Sequence, residues 1–118
     1  MSSTASLTLS DLQHQIDDWI KQYGKRYFSH LTNLGILLEE TGELSRHITR
    51  IYGEQSYKQP IPSETEQKQM LQDEMADVLW VLCSLANQTG IDLTQAIQQN
   101  MEKKTARDSD RHWNNEKL

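Results

Sequence analysis

The sequence contains few of the features that mark secreted or membrane proteins. Its 118 residues include one cysteine, Cys83, so no disulfide can form within the chain. No apolar run approaches the roughly 18 residues that a membrane span needs. Residues 1–6 are polar and carry no charged side chain, unlike a signal peptide. We therefore predict a cytoplasmic protein that makes no contact with a membrane, with Cys83 as a buried thiol in a reducing compartment.

Positive charge is also scarce. The 12 lysines and arginines are outnumbered by 17 aspartates and glutamates, which gives a formal net charge of -5. A protein that binds nucleic acid through a general basic surface needs the opposite balance. The composition therefore predicts no nucleic-acid partner, and any phosphate-bearing ligand must be held locally by a metal ion or by a few placed cations.

The hydrophobic fraction is low, at 36%. A chain of this length forms one domain and buries about two-thirds of the surface that its unfolded form exposes. The few apolar residues make a thin core for a monomer of this size. We therefore expect some apolar surface to be shared with another subunit.

Strand signals are missing, because the chain has no sustained alternation of apolar and polar residues and no Asn-Gly or Asp-Gly turn. Helical spacing and capping residues instead predict four helices. The first begins at a capping box of Ser10 and Gln13 and ends at Gly24, and the second runs from about Leu31 to Tyr52. The third runs from a cap of Ser63 and Glu66 to about Asn87, and the fourth from the Asp92 cap to about Thr105. Residues 78–82 are apolar on all sides, so the third helix should be central and buried. The predicted fold class is all-α, an oligomeric four-helix bundle.

Two acidic motifs lie inside the second and third predicted helices. The first is Glu39-Glu40-Thr41-Gly42-Glu43 and the second is Glu74-Met75-Ala76-Asp77. Carboxylates three residues apart are neighbours on one helical face. Two carboxylates about 4 Å apart repel by roughly 4 kcal/mol at an effective dielectric of 20, so a converging cluster must protonate, separate or bind a metal. Oxygen ligands suit Mg²⁺ or Mn²⁺. Spacing alone leaves open a solvated acidic face.

Gly42 is costly inside a helix, which suggests the close approach of another backbone or of a ligand. The four histidines, in contrast, show no ligand spacing, and surface or core positions are expected for them.

The two motifs with their flanking residues resemble the EExxE…ExxD signature of the MazG-like nucleotide pyrophosphohydrolases, which belong to the all-α NTP pyrophosphatase superfamily. The resemblance extends to residues 27–33, 85–87 and 105–113, which are similar to the short, single-domain branch. It covers residues 10–113, which should form the catalytic domain. Residues 1–9 are expected to be loosely ordered, and residues 114–118 to form a tail.

The resemblance implies hydrolysis of a nucleoside triphosphate to the monophosphate and pyrophosphate. Position by position, it implies Mg²⁺ ligands at Glu40, Glu43, Glu74 and Asp77, with Mn²⁺ as a substitute. Glu39 would be a fifth catalytic carboxylate, either a ligand to a further ion or a base that orients water. Relatives form dimers and tetramers with sites near subunit interfaces, so a homodimer or homotetramer is expected.

Candidate substrate contacts complete the predicted site. Asn33 matches a polar reader of the base or sugar, and Trp80 lies one turn after Asp77, where it could stack on a base. Candidate phosphate contacts are the basic residues Lys103, Lys104, Arg107 and Arg111. These residues could instead be favourable charges near a helix C-terminus, and the aromatic residue could belong to the core.

The acidic motifs are also compatible with other classes of protein. A carboxylate-bridged di-iron bundle needs Glu-x-x-His pairs, and the chain has none. A non-catalytic metal-binding or nucleotide-sensing helical oligomer would use the same ligands, so it stays open. Alternative enzymes within the superfamily are dCTP- or dUTP-directed pyrophosphohydrolases and phosphoribosyl-ATP pyrophosphohydrolase.

Overall fold

The structure is a computed structural model that describes residues 6–118. It contains four α-helices and no strand within that range. The helices are α1 (Leu9–Tyr23), α2 (His30–Ile51), α3 (Glu64–Gln88) and α4 (Leu93–Trp113). The all-α prediction is confirmed. Most of the segment expected to be loosely ordered, residues 1–5, lies outside the described residues.

Helix α3 is the central element of the fold. It packs side by side with α2 and also against α1, whereas α4 packs mainly against α1. This arrangement places the two acid-bearing helices, α2 and α3, in contact with each other.

The core is small and lies between α1 and α3. Ile16, Ile20 and Cys83 form its buried cluster. Leu12, Tyr27 and Leu93 pack against them. The predicted burial of the Cys83 thiol is confirmed, and this burial raises its pKa.

The helix ends follow capping chemistry, with one correction to the predicted start of α1. Thr8, and not Ser10, is the N-cap, and it exchanges hydrogen bonds with Asp11. Gln13, which was predicted to close a capping box, is buried instead. The predicted box between Ser63 and Glu66 at the start of α3 is confirmed.

Helix α4 is longer than predicted. The pattern of inward apolar residues fades after Met101, which predicted an end near Thr105, yet the helix continues to Trp113. The added segment contains no glycine or proline, and Arg107 and Arg111 pair with Asp108 along it. Apart from Asp108, residues 101–113 are exposed.

The expectation that α3 is buried on all sides was only partly right. Val81 is buried, but Leu79, Trp80 and Leu82 are exposed in the single chain. The two helices packed against α3, α2 and α1, do not cover its whole circumference.

Candidate active site

The acidic motifs face each other across the contact between α2 and α3. Glu39–Glu43 occupies the middle of α2, and Glu74–Asp77 occupies the middle of α3. Each motif has its carboxylates one helical turn apart, so side-by-side packing of the two helices brings both rows together. The result is two overlapping groups of side chains that share Glu74.

The first group consists of Glu40, Glu74 and Asp77. Each offers one oxygen, and the three oxygens lie within 4.8 Å of one another. Glu40 and Glu74 are half-buried and Asp77 is exposed. This group is open to ligands on the Asp77 side and shielded on the other.

Burial and repulsion from neighbouring carboxylates perturb the ionisation of Glu40. Desolvation, a hydrogen bond with Glu74 and the charge of Asp77 raise the pKa of Glu40 to about 7. Near neutral pH the metal-free group therefore relieves its repulsion by holding a proton. A bound cation would also relieve the repulsion, with all three carboxylates ionised.

One oxygen of Glu74 fits a cation directly. Its Oε2 is buried, and within residues 6–118 it has no hydrogen-bond partner. A buried unpaired carboxylate oxygen costs several kcal/mol, by order of magnitude, so such atoms are usually paired or coordinate a metal. The donors around it are oxygens, which suit a hard divalent ion such as Mg²⁺. The residues present therefore fit the cation that the fold implies.

The second group contains a residue that sequence analysis missed. Glu43, His47 and Glu74 each offer a ligand atom, and these atoms also lie within 4.8 Å of one another. His47 is 7% exposed, and its Nδ1 is 2.7 Å from the Tyr57 hydroxyl. The sequence does contain a sign of this contact, because His47 follows Glu43 by four residues and therefore lies one turn further along α2.

Glu39 and Gly42, both in the first motif, lie outside the two groups of ligand atoms. Glu39 is exposed and belongs to neither group. Gly42 was expected to permit the close approach of a backbone or a ligand, and apart from the adjoining backbone of α2 no atom of the described residues lies within 4 Å of the position that a Cβ would take. The open space at Gly42 is available to a ligand or to another chain.

A cavity of about 390 Å³ is lined by residues of α1, α2, α3 and the segment between α1 and α2. Its lining includes Trp19, Asn33, Ile36 and Trp80. Ile36 lies one turn before Glu40 and Trp80 one turn after Asp77, so the cavity continues along the same two helices. The structure thus places two of the predicted substrate contacts, Asn33 and Trp80, in one cavity on the helices that carry the acidic groups.

The cavity walls are held by specific contacts. Trp80 packs edge-to-face on Trp19, with ring centroids 5.3 Å apart. The Asn33 amide is buried and donates to Gln88 Oε1 at 2.9 Å, and Gln88 Nε2 in turn donates to the Phe28 carbonyl at 2.6 Å. These contacts fix both side chains before any ligand binds.

The predicted phosphate contacts are not part of this constellation. Lys103, Arg107 and Arg111 lie on the exposed second half of α4, which packs mainly against α1 and not against α2. Arg107 and Arg111 pair with Asp108 at 2.9 and 3.1 Å, which lowers the pKa of the aspartate. Within one chain, the structure does not bring these cations to the carboxylates.

Comparison with known proteins identifies the class of protein that this fold and site define. The family model of the MazG nucleotide pyrophosphohydrolase domain matches residues 28–112. The chain belongs to this family and is an enzyme, a hydrolase that acts on nucleotides. The predicted resemblance is thereby confirmed.

Individual relatives cover nearly the whole chain. The uncharacterized proteins YpjD and YvdC of Bacillus subtilis (strain 168) are 39% and 31% identical over 104 and 103 residues. These matches span 88% and 86% of this chain and 89% and 96% of the relatives.

Solved structures match the fold as well. The Bacillus-conserved MazG protein, described as a nucleotide pyrophosphohydrolase, has a TM-score of 0.70 at 34% identity. Its match covers 92% of this chain and 99% of that chain. A structure of Bacillus subtilis YpjD gives 0.69 at 36% identity, covering 87% and 97% of the two chains.

Proposed function

We propose that the protein hydrolyses nucleoside triphosphates to monophosphates and pyrophosphate with Mg²⁺ as its cofactor. The observation that carries this proposal is the convergence of the two acidic motifs around Glu74 Oε2, which is buried and has no hydrogen-bond partner among residues 6–118. Membership of a nucleotide pyrophosphohydrolase family supplies the reaction class.

Glu40, Glu74 and Asp77 are the residues that would hold the cation, and Glu43 lies beside them. When bound, Mg²⁺ offsets the charge of the phosphates and makes a nearby water more acidic. The chain contributes three oxygens that are already close together, so little ordering is required when the ion arrives. Mn²⁺ would serve as a substitute because it accepts the same oxygen ligands.

Glu39 is exposed and belongs to neither group of ligand atoms, so its carboxylate is free to act as a base toward water. We propose that it accepts a hydrogen bond from the attacking water and then its proton, while the water oxygen bonds to phosphorus. The phosphoanhydride bond between the α- and β-phosphates breaks, and its electron pair leaves with pyrophosphate. Its exposure permits this role, because a base must reach water that enters from solvent.

The cavity lined by Trp19, Asn33 and Trp80 would hold the nucleoside. The Trp19–Trp80 pair presents aromatic surface for a base, and Asn33 presents a fixed polar group. This places the base at the cavity and the triphosphate over the acidic groups, along one line of α2 and α3. Because the Trp80 and Asn33 side chains are held in place, we expect the cavity to select among bases by their shape and hydrogen bonding.

The phosphate charges need cations, and within one chain Lys103, Arg107 and Arg111 lie on α4, which packs mainly against α1. We propose that the protein is a homodimer or homotetramer and that Lys103, Arg107 and Arg111 reach the phosphates of a neighbouring subunit. The exposed position of the second half of α4 supports this arrangement. Their charge would complement a triphosphate bound among carboxylates.

The decisive assay incubates the metal-free protein with a panel of NTPs and dNTPs, with and without Mg²⁺. We expect monophosphate and pyrophosphate in equal amounts, and only when Mg²⁺ is present. Release of inorganic phosphate and a diphosphate would contradict the proposed site of cleavage. Binding of Mg²⁺ and nucleotide without any product would favour a nucleotide-sensing protein instead.

A further inference from the structure

One wall of the cavity belongs to the segment between α1 and α2, which includes Arg26 and Phe28. This segment leads directly into α2 at His30, and the stretch of helix from His30 to Glu40 spans roughly 15 Å. If the triphosphate lies over the carboxylates, the base and not a phosphate therefore meets this wall of the cavity.

The segment begins with a strained turn. Lys25 has a φ of 70°, in the left-handed region that non-glycine residues rarely adopt. Across it the Arg26 N–H donates to the Gly24 carbonyl at 2.8 Å, which closes a γ-turn. Strain of this kind persists only where the surrounding structure imposes it, and it is common at functional sites. The turn redirects the chain at the end of α1 and places Arg26 at the cavity.

Hydrogen bonds fix the residues that follow the turn. The Tyr27 hydroxyl donates to Asp17 Oδ1 at 2.6 Å and accepts from Asn87 Nδ2 at 3.1 Å. The Phe28 carbonyl accepts from Gln88 Nε2 at 2.6 Å. The segment is thereby attached to both α1 and α3, so its backbone is in place before any ligand binds.

The Arg26 guanidinium keeps two unused donors side by side. Its Nη1 donates to the Tyr27 carbonyl at 3.2 Å, which holds one side of the group. Within residues 6–118 the guanidinium forms no other hydrogen bond and no ion pair. Nε and Nη2 form the opposite edge, with two parallel N–H donors. Arg26 is exposed, so this edge is open to a ligand that has two adjacent acceptors.

Asn33 adds an acceptor of fixed orientation. The Phe28 carbonyl can only accept, so Gln88 must donate to it through Nε2 and accept through Oε1. Asn33 must then donate to Gln88 Oε1 through its Nδ2, at 2.9 Å. Its Oδ1 is left as an acceptor, and no donor among the described residues bonds to it. Asn33 is 6% exposed and lines the cavity, so a ligand there can donate to this oxygen.

The cavity therefore presents two adjacent donors and an acceptor. Guanine and hypoxanthine match this pattern, with N7 and O6 as adjacent acceptors and N1–H as a donor beside them. Cytosine matches it as well, through O2, N3 and its amino group. Adenine places its amino donor between two acceptors, and uracil places N3–H between two carbonyls, so neither base offers adjacent acceptors.

We propose that Arg26 is a specificity-determining residue, which with Asn33 selects nucleotides whose base carries two adjacent acceptors beside a donor, as guanine, hypoxanthine and cytosine do. The inference rests on the proposed function, because that function assigns the base to this cavity. Arg26 contacts the base alone in this arrangement, so it acts on the choice of nucleotide and takes no part in the cleavage of the phosphoanhydride.

The test is the binding of nucleoside monophosphates to the Mg²⁺-saturated protein, measured by calorimetry. These ligands contain no phosphoanhydride bond, so turnover does not interfere. We expect GMP and IMP alike, or CMP, to bind at least about 10-fold more tightly than AMP and UMP. Equal binding of AMP or UMP, or no binding of any monophosphate, would overturn the proposal. The proposed function would survive that result if Mg²⁺-dependent pyrophosphate release from NTPs persisted.

Substitutions at Arg26 separate hydrogen-bond geometry from charge. Arg26→Met removes the donors and should weaken binding of the preferred monophosphate by about 10-fold or more, with about 3-fold or less change for AMP. Arg26→Lys keeps the charge but lacks the paired donors, so it should also lose the preference. Equal weakening of every monophosphate by Arg26→Met, or an unchanged preference in Arg26→Lys, would contradict the proposal.

Arg50 provides the matched control. Its Nη1 also donates to a backbone carbonyl, that of Arg46, at 3.0 Å, but Arg50 lies in the last turn of α2. Arg50→Met should leave the affinities for all the monophosphates unchanged. A loss of the preference in Arg50→Met would show a general effect of charge and contradict the assignment to Arg26.

Discussion

Asp77 and Asp73 lie one turn apart on α3, yet only Asp77 belongs to an acidic group. Asp73 is exposed and accepts a hydrogen bond from Gln69 at 3.2 Å. We expect Asp77→Asn to lower pyrophosphate release by at least about 100-fold, since a cation contributes several kcal/mol to catalysis. Asp73→Asn is the matched control and should retain wild-type turnover. Wild-type activity in Asp77→Asn would contradict the assignment of Asp77 as a metal ligand.

Glu40 gives the metal-free protein a specific pH dependence. Its pKa rises from 4.5 to about 7 on folding, so the folded state binds more protons between these values. The contribution of Glu40 to stability is therefore fully present below pH 4.5 and is lost as pH rises through 7.

Urea unfolding of the EDTA-treated protein at pH 5 and pH 8 measures this effect. The quantity to compare is the free energy of unfolding of Glu40→Gln minus that of wild type. After allowance for solvent screening, this difference should be about 1 kcal/mol more favourable at pH 8 than at pH 5. Comparison with wild type cancels the titration of the histidines. Glu39→Gln controls for the loss of one negative charge on the same helix. If Glu40→Gln changed the free energy of unfolding equally at both pH values, the pH dependence would not come from Glu40.

At the scale of elements, Gln13 joins three helices through one side chain. Its Nε2 donates to Asn87 Oδ1 and to the Ile91 carbonyl, and its Oε1 accepts from the Leu93 N–H. The bonded distances are 3.1, 2.9 and 2.9 Å. This network fixes the end of α3 and the start of α4 against α1.

Replacement of Gln13 by methionine should keep the side-chain volume and remove these bonds. We expect a loss of about 2–3 kcal/mol in the free energy of unfolding, because buried partners are left unsatisfied. The melting temperature should fall by roughly 10 °C for a domain of this size. Gln15→Met, at an exposed position of the same helix, should change it little. Equal effects of the two substitutions would argue against the network as the source of stability.

At the scale of the whole molecule, apolar side chains remain uncovered next to the acidic motifs. Leu38 is 65% exposed beside Glu39, and Met75 is 51% exposed beside Glu74. Burial of such surface is worth about 25 cal/mol per Å². Association of copies of the chain would bury it and bring foreign side chains close to the site.

Light scattering should therefore give a mass that is a multiple of 13.7 kDa. The double variant Leu38→Lys with Met75→Lys should shift this mass to that of one chain, because burial of two charged side chains in an interface carries a large desolvation cost. Leu118→Lys, at the exposed end of the chain, is the control and should leave the mass unchanged. A wild-type mass of 13.7 kDa would contradict the predicted oligomer.

Local sequence determined the elements and the class of chemistry. The spacing of Leu12, Ile16 and Ile20, the Ser63 cap and the paired motifs each act within a few residues, so they predict helices without knowledge of the fold. The prediction failed at the end of α4, where apolar periodicity stops but no residue breaks the helix. Helix ends without a glycine or proline depend on weak pairs such as that between Asp108 and Arg111, three residues apart.

Only the tertiary structure decided how the carboxylates combine. The sequence alone could not show that Glu74 is shared between two groups, that His47 joins one of them, or that Glu39 joins neither. These facts depend on the rotation and register with which α3 packs against α2, and packing is set by contacts between residues far apart in the chain. The same packing carries α4 and its basic residues away from the acidic motifs of their own chain. The sequence therefore determined which groups this protein has for binding a cation, and the fold determined which of them meet.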